Sequence, residues 1–284
     1  MVYRRRTLLI LFKLATLTLS FQAAAQLEIS ERWSITQKFV MPESAVFDSG
    51  SQQIFVSNVN NYAKDGNGFV SRVSADGKDI ALKWLTGLNS PTGLAVRDGR
   101  LYVVDYDQLH IVDIASGKII ASADSPHEKP ALNDVAISPS GRVLVSGSAS
   151  AAIYELIEGQ LQVWKQDKLL LKHANGLFFD NGKLVFGGTH WKIFDLDSKN
   201  VAVNFTEPAP AIREIDGITS DSCGGYFITL IGDDRLWHVS ASAVASPVSK
   251  QAIKGIDIDR HESRLYVPTV GGGLSVFDLD GVCE

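Results

Sequence analysis

The 284-residue sequence has only two cysteines, which excludes a disulfide-rich scaffold and a cysteine-ligated metal site. Its 27 basic residues do not outnumber its 32 acidic residues, so nucleic acid is not expected as a partner. Beyond the N-terminus there is no hydrophobic run long enough to cross a bilayer and no convincing amphipathic helix pattern. The sequence also lacks a Ser-centred nucleophile elbow, a phosphate-binding loop and a dinucleotide fingerprint. These absences leave a globular, strand-rich protein.

The first 25 residues have the pattern of a secretory signal peptide. Three arginines at 4–6 precede a mostly apolar segment at 7–21, and alanines at 23–25 supply the small residues that a signal peptidase recognises. A retained membrane anchor is the alternative interpretation, but the apolar segment is short for a span of about 20 residues, and Lys13 interrupts it. We therefore expect export to the periplasm or the medium, with cleavage after residue 25.

Cleavage would leave residues 26–284 as the mature protein. The removed segment carries four basic and no acidic side chains, so the formal net charge falls from −5 to −9. An acidic exported protein is soluble and attracts cations rather than phosphates. We expect a monomer whose partner is a small molecule, with no nucleic acid and, after cleavage, no membrane.

One short sequence motif, which we call the phrase, recurs six times along the mature chain. Its second residues are separated by 49, 41, 42, 41 and 38 residues. A turn such as Asp98-Gly99 and an apolar strand such as 101–104 follow each phrase, and further short strands lead to the next one. A period near 40 that contains strands and no helix is typical of propeller blades.

Six phrases predict an all-β, six-bladed β-propeller of four-stranded antiparallel blades. The last blade lacks a fourth strand, because the chain ends soon after its third. An alternating segment at 31–39 precedes the first phrase, and we expect it to supply the missing strand and close the ring. The alternative, a two-domain all-β protein, does not explain the even period or the absence of a linker.

The second residue of each phrase lies where the innermost strand of a blade begins, beside the central channel. We therefore expect these six residues to form a ring at the channel mouth. The ring positions are Glu43, Thr92, Asn133, Asn175, Asp216 and Lys254. Two carboxylates and two amides are a suitable oxygen set for Ca²⁺ or another hard divalent cation, whereas Zn²⁺ would favour His or Cys, and neither occurs in the ring. The alternative is that Asn and Asp before Gly serve only as turn formers.

These residues also carry a resemblance to a known family. The order and spacing of four phrases resemble those of the senescence marker protein (regucalcin) and gluconolactonase family, over essentially all of residues 40–280. The phrases are Glu43, Asn133-Asp134, Asn175-Gly176 and Asp216-Gly217.

The resemblance implies a chemistry for the ring. Family members are six-bladed propellers that hold Ca²⁺ with a Glu, two Asn and an Asp, which would here be Glu43, Asn133, Asn175 and Asp216. Asp216 would also be the catalytic general base, and the ion would polarise a lactone or ester oxygen. The expectation is an exported calcium-dependent hydrolase of the lactonase or esterase type. A non-catalytic ligand- or protein-binding propeller with a structural ion is the alternative.

Two departures from the family pattern bear on the substrate. Lactonases of the family often carry Arg two residues before the first Asn, where this chain has Ala131. Lys254 in the expected ring could pair with a carboxylate and compete with the metal, or bind an anionic substrate. Together with Thr92 and His190, which lies in a loop on the expected mouth face, Lys254 is a candidate substrate-binding residue.

Two further features have a predicted place in the propeller. The long loop 58–68 lies on the mouth face and could cap the pocket. Cys223 and Cys283 should both fall on the opposite face, near enough for a disulfide, which an exported protein can keep.

Overall fold

A computed structural model describes residues 28–202, 206–248 and 252–280 of the chain. The described residues form 23 β-strands and no α-helix, as the short runs of β-branched and aromatic residues predict. Accordingly, no helix in this part of the chain is long and apolar enough to cross a membrane. The expected signal peptide, residues 1–25, lies outside the described residues.

The first three blades are four-stranded sheets whose strands pair in chain order. Blade one comprises β2 (Pro42–Asp48), β3 (Gln53–Asn58), β4 (Gly68–Ser74) and β5 (Ile80–Leu88). Blade two comprises β6 (Leu94–Arg97), β7 (Arg100–Asp105), β8 (Gln108–Asp113) and β9 (Lys118–Asp124). Blade three comprises β10 (Leu132–Ile137), β11 (Val143–Gly147), β12 (Ala152–Ile157) and β13 (Gln160–Gln166).

The remaining blades complete the ring, and β1 (Glu28–Ile35) joins the last of them. Blade four comprises β14 (Leu177–Asp180), β15 (Lys183–Phe186) and β16 (Lys192–Asp195). Blade five comprises β17 (Ile215–Ser220), β18 (Tyr226–Leu230), β19 (Trp237–Val239) and β20 (Ala245–Pro247). Blade six comprises β21 (Asp259–His261), β22 (Arg264–Thr269), β23 (Gly273–Asp280) and β1.

The fourth blade has a single β-bridge in place of a fourth strand among the described residues. Its described strands number three, and a single bridge between Phe194 and Val201 lies where a fourth strand would pair. Residues 203–205, which follow this bridge, lie outside the described residues.

The N-terminal strand closes the ring, which confirms that prediction. β1 pairs antiparallel with β23 from Glu28 opposite Asp280 to Ile35 opposite Leu274, with a bulge between Glu31 and Trp33. The sheet order β1-β23-β22-β21 makes the two ends of the chain neighbours in one blade. The outer edge of β23 is therefore paired instead of exposed.

Apolar side chains between adjacent blades hold the propeller together. One buried cluster joins Leu144, Ile153 and Trp164 of blade three to Phe186 and Phe194 of blade four, and similar clusters lie between other neighbouring blades. Alternate residues of the strands thus face the neighbouring blades, and the inner strands line a central channel.

Cys223 lies in the turn between β17 and β18, the end of blade five opposite the phrase positions. It is disulfide-bonded. Cys283 lies outside the described residues, so its pairing with Cys223 stays a prediction.

Deleting β1 should destabilise the protein far more than an ordinary terminal truncation. The deletion exposes the edge of β23 and the apolar surface that Trp33 and Ile35 cover on the cluster of blades six and one. For a domain of this size about 1 kcal/mol corresponds to roughly 2–4 °C, so a loss of several kcal/mol should lower the melting temperature by about 10 °C or more. A chain beginning at Glu28 is the matched control. A deletion variant that melts with this control would contradict closure by β1.

Candidate functional site

The backbone hydrogen bonds define which residue of each blade lies in the ring. The ring residue of blade two, Thr92, donates its N–H to Val104 O at 2.9 Å, and Asn175 of blade four donates to Gly187 O at 3.2 Å. In blade six the equivalent donor is Ile256, whose N–H donates to Pro268 O at 3.0 Å. Ile256, and not Lys254, therefore occupies the ring position of the sixth blade.

Lys254 lies two residues earlier, at a second set of equivalent positions that we call the rim. Rim residues share a left-handed backbone, with φ between 44° and 56°. The carbonyls of most of them accept an N–H from the loop after the second strand of the same blade. The left-handed rim residues are Met41, Ala131, His173, Glu214 and Lys254. The expectation that Lys254 lies in the ring is thus corrected: it is an exposed residue just before the ring.

The misplacement has a simple cause. Lys254-Gly255 matches the polar-residue-then-Gly pattern of Asn175-Gly176 and Asp216-Gly217. The structurally equivalent triplet in blade six is instead 256–258, which matches 133–135 of blade three in placing Asp after the ring residue.

Four of the six ring positions carry the side chains expected to bind a metal ion, and Thr92 and Ile256 occupy the other two. Glu43 and Asn175 are buried, and the Asn175 Nδ2 donates to Asp216 Oδ1 at 2.6 Å. A side chain at residue 176 would clash with the backbone oxygen of Asp216, so glycine there allows the strands to approach. Asn133 Oδ1 is buried and has no hydrogen-bond partner among the described residues.

The ring carboxyl groups are held away from solvent and close to one another. Burial, followed by the charges of Asp216, Asp257 and Asp134, raises the pKa of Glu43 well above its usual value. Burial and the charge of Asp257 raise the pKa of Asp216 to about 7, against the lowering effect of the Asn175 hydrogen bond. Burial and mutual repulsion thus favour the protonated, uncharged forms of these carboxyl groups unless a cation binds between them.

Two further carboxylates, Asp134 and Asp257, lie in a second layer directly after the ring. Neither of them was assigned a role from the sequence. Asp134 accepts the N–H of Val135 and, across the blade boundary, that of Leu177, both at 2.7 Å. Asp257 accepts the N–H of Ile258 at 2.7 Å. The repeated Asp at this position, one residue after the ring, is the sequence signal that would have identified both.

Below this layer the channel contains a cavity of about 360 Å³. Its lining includes Asp134 and Asp257, apolar residues of the inner strands and, towards the far end, Asp259 and His261. None of the ring residues lines this cavity. The ring therefore separates the cavity from the mouth face.

The expected substrate-binding residues differ in how closely they approach the ring. Thr92 is buried in the ring, and its Oγ1 donates to Leu132 O at 3.4 Å. His190 lies in the loop between β15 and β16 on the mouth face, half-buried. No contact of His190 with a ring residue occurs in the described part of the chain.

The loop between β3 and β4 is anchored over the ring, as its position in the sequence suggests. Ser90 Oγ donates to the carbonyls of Asn61 and Ala63 at 2.8 and 3.1 Å, and Lys64 Nζ lies 2.5 Å from Asp107 Oδ2. Between these anchors, Tyr62 is 62% exposed but is surrounded by protein at the mouth, and this partial desolvation, followed by the charges of Glu43 and Asp216, raises the pKa of Tyr62 to about 12. The Tyr62 phenol therefore lies within electrostatic reach of the two ring carboxylates.

Comparison with known proteins identifies the family. The sequence pattern of the SMP-30/Gluconolactonase/LRE-like region matches residues 41–248. The chain belongs to this family. No curated protein is similar enough in sequence to count as a relative.

Several solved propellers share the fold at low sequence identity. A candidate gluconolactonase is 14% identical with a TM-score of 0.65, over 90% of this chain and 93% of that one. An inactive variant of virginiamycin B lyase from Staphylococcus aureus, solved with quinupristin, is 12% identical with a TM-score of 0.62, over 89% and 100% of the two chains. The WD40 propeller domain of Doa1 is 15% identical with a TM-score of 0.62, over 84% and 78%. These likenesses show the fold.

The two departures from the SMP-30/gluconolactonase pattern both lie at rim positions. Ala131 and Lys254 occupy equivalent rim positions on blades three and six, which lie opposite each other across the channel. The mouth therefore has a rim cation, but on the side opposite the one where lactonases of the family often carry Arg.

The oxygen atoms of the ring suit a hard cation and are not fully satisfied by hydrogen bonds within the protein. No cluster of three or more His, Cys, Asp or Glu able to hold a metal is found among the described residues. The ring instead offers two carboxylates and two amides, and Asn133 Oδ1 is buried without a partner, which costs free energy unless something binds it. Carboxylate and amide oxygens are the donors that Ca²⁺ prefers.

The metal-free protein should lose stability as the pH rises from about 5 to 8. Asp216 and Asp259 have folded-state pKa values of about 7, against about 4 in an unfolded chain, so the folded state binds more protons in this interval. Stability should therefore fall as the pH rises through the interval. Thermal melts in chelator at pH 5, 6, 7 and 8 measure this.

Two variants check that prediction. Asp259→Asn should reduce the pH dependence, because it removes one of the carboxyl groups with a raised pKa without touching the ring. Asp98→Asn, in an exposed turn, should leave it unchanged. If the parent protein in chelator melts at the same temperature at pH 5 and pH 8, the carboxyl groups do not have the raised pKa values described above.

Proposed function

We propose that the protein is an exported calcium-dependent hydrolase of the lactonase or esterase type, with its site at the ring. Family membership supports this class of chemistry, and the unpartnered buried oxygen of Asn133 is the observation that carries the calcium site. Glu43, Asn133, Asn175 and Asp216 would hold the ion. Two carboxylates would match its charge of +2.

Calcium bound there would polarise the carbonyl oxygen of a lactone or ester. Asp216 would be the general base, because its carboxylate lies in the ring beside the position of the ion and can accept a proton from water. Asn175 fixes the Asp216 side chain through Oδ1, so Oδ2 is the oxygen left to receive the proton. The side chain is thus oriented before substrate binds.

The rim and the loop between β3 and β4, which we call the cap loop, would position the substrate. Lys254 presents an ammonium group at the mouth, where it can bind a carbonyl or an anionic group, and Thr92 adds a hydroxyl in the ring itself. His190 would contact only a substrate that extends towards blade four. The small-molecule partner and the monomeric state belong to the same proposal.

A non-catalytic binding propeller is the second candidate, and one observation favours it. Ala131 leaves the rim of blade three without the cation that lactonases of the family often use. In that case the ion would stabilise the inner strands, and no hydrolysis would occur. The two candidates share the metal site and differ only in turnover.

Hydrolysis of a panel of lactones and aryl esters, with calcium and with chelator, tests the proposal. We expect calcium-dependent turnover and a loss of about 10²–10⁴-fold in Asp216→Asn, which keeps the size of the side chain but removes the base. Asp98→Asn, which makes the same chemical change far from the ring, should retain full activity. If calcium stabilises the parent but nothing on the panel is hydrolysed, the binding propeller is the correct account.

Export makes a separate prediction. The mature protein should begin at Gln26, because alanines at 23–25 form the small-residue site. Intact-mass measurement of periplasmic or secreted material would show this N-terminus. A full-length mass in a membrane fraction would instead indicate a retained anchor.

A further inference from the structure

Exposed apolar side chains are distributed unevenly around the mouth. On blades five, six and one, four large apolar or aromatic residues project at or beside the rim. They are Ile231, Val270, Met41 and Tyr62, with exposed fractions of 56%, 64%, 48% and 62%. Solvent-exposed apolar residues that gather at one concave site are a usual sign of a binding surface.

A chain of backbone hydrogen bonds shows that these residues belong to one continuous wall. The loop of Ile231 is joined to Lys254, whose N–H donates to Asp234 O at 3.0 Å. Lys254 O accepts the N–H of Val270 at 2.9 Å, and Gly272 O accepts the N–H of Phe39 at 3.0 Å. The loops of blades five and six and the segment entering blade one are thus linked side by side.

The wall continues from Met41 to the cap loop. Met41 O accepts the N–H of Val59 at 3.1 Å, which begins the loop that carries Tyr62. We call Ile231, Val270, Met41 and Tyr62 together the apolar arc.

The ring residue beneath the apolar arc is apolar as well. Ile256 of blade six lies between the ring carboxylates of its neighbours, Asp216 on blade five and Glu43 on blade one. It belongs to none of the buried apolar clusters between blades, which fits a side chain that faces the channel. The backbone of Lys254 belongs to the same wall, so its aliphatic stem begins there.

The rim of blades three and four is polar. Ser148 Oγ donates to Ala174 O at 2.7 Å, and His173 Nδ1 lies 3.2 Å from Thr189 Oγ1. His173 Nδ1 also lies 3.8 Å from Oε2 of Glu214 on the rim of blade five, where the polar side meets the apolar arc. The mouth therefore has one polar and one apolar side, with the candidate catalytic carboxylates below their boundary.

We propose that the apolar arc and Ile256 form a subsite for an alkyl or aryl group of an amphiphilic substrate, so that the substrate class is apolar esters or lactones in preference to sugar lactones. This inference rests on the proposed function for its chemistry, but its binding surface can be tested separately. A compact sugar lactone has hydroxyl groups on every side and would leave them without partners against the arc. An alkyl chain would cover it.

Chain length is the direct readout. Each fully buried methylene group adds roughly fourfold to affinity, and about twofold where the wall is half open. We therefore expect kcat/KM for p-nitrophenyl esters to rise about two- to fourfold per methylene from acetate to hexanoate. Val270→Ser should reduce this dependence, whereas Leu169→Ser should not. Leu169 is also exposed, at 80%, but lies in the loop before blade four and outside the apolar arc.

A binding measurement separates this inference from the proposed hydrolysis. Octanamide and acetamide carry a carbonyl group that an esterase does not cleave, and calorimetry on the full-length mature protein with calcium gives their affinities. We expect octanamide to bind at least tenfold more tightly in the parent and in Leu169→Ser, and this preference to shrink in Val270→Ser. If no ester is hydrolysed but the preference is present, the proposed function fails and the subsite stands.

Two results would overturn the inference. One is equal affinity for both amides in the parent protein, whatever its activity. The other is a Val270→Ser variant that keeps the chain-length preference but sediments as a smaller species than the parent, which would make the apolar arc a contact between copies of this chain.

Discussion

Four carboxyl groups that crowd the centre of the propeller, one of them buried and three partly buried, set the main physical constraint on this protein. Glu43, Asp134, Asp216 and Asp257 come from four blades, and each has a pKa raised first by burial. Placing like charges together out of water is unfavourable unless they are protonated or a cation joins them. No Lys or Arg in the described residues forms an ion pair with any of the four. The fold therefore needs either protons or an external cation at this point.

Other features of the site follow from this constraint. The second-layer Asp134 is satisfied by backbone N–H groups of two blades, so it serves the packing of the inner strands. The ring oxygens have fewer partners within the protein: the Asp216 carboxylate accepts one amide hydrogen bond, and the amide oxygen Oδ1 of Asn133 accepts none. This division distinguishes carboxylates that hold the strands together from those that are left to bind a ligand or a proton.

Much of this arrangement could be predicted from the sequence, because a propeller repeats a local pattern. The spacing of the phrases was sufficient to predict six blades and the ring residues of five of them. The missing fourth strand of the last blade was sufficient to predict closure by the N-terminal strand. It failed at blade six, where Lys254-Gly255 imitates the ring pattern two residues too early. Asp257 was missed for the same reason. The apolar arc could not be predicted, because Ile231 and Val270 come from loops outside the repeated phrase, and only the folded chain brings them to one side of the mouth.

The central claim is that the ring holds calcium through oxygens that the protein itself leaves unpaired. Asn133→Leu tests it most directly, since Leu has nearly the shape of Asn but lacks the buried oxygen that has no partner. In chelator the variant should melt at or above the temperature of the parent. Saturating calcium should raise the melting temperature of the parent, by an amount equivalent to about 2.7 kcal/mol at a hundredfold excess over Kd, and raise that of the variant far less. A parent that does not respond to calcium, or a variant that responds equally, would contradict the account.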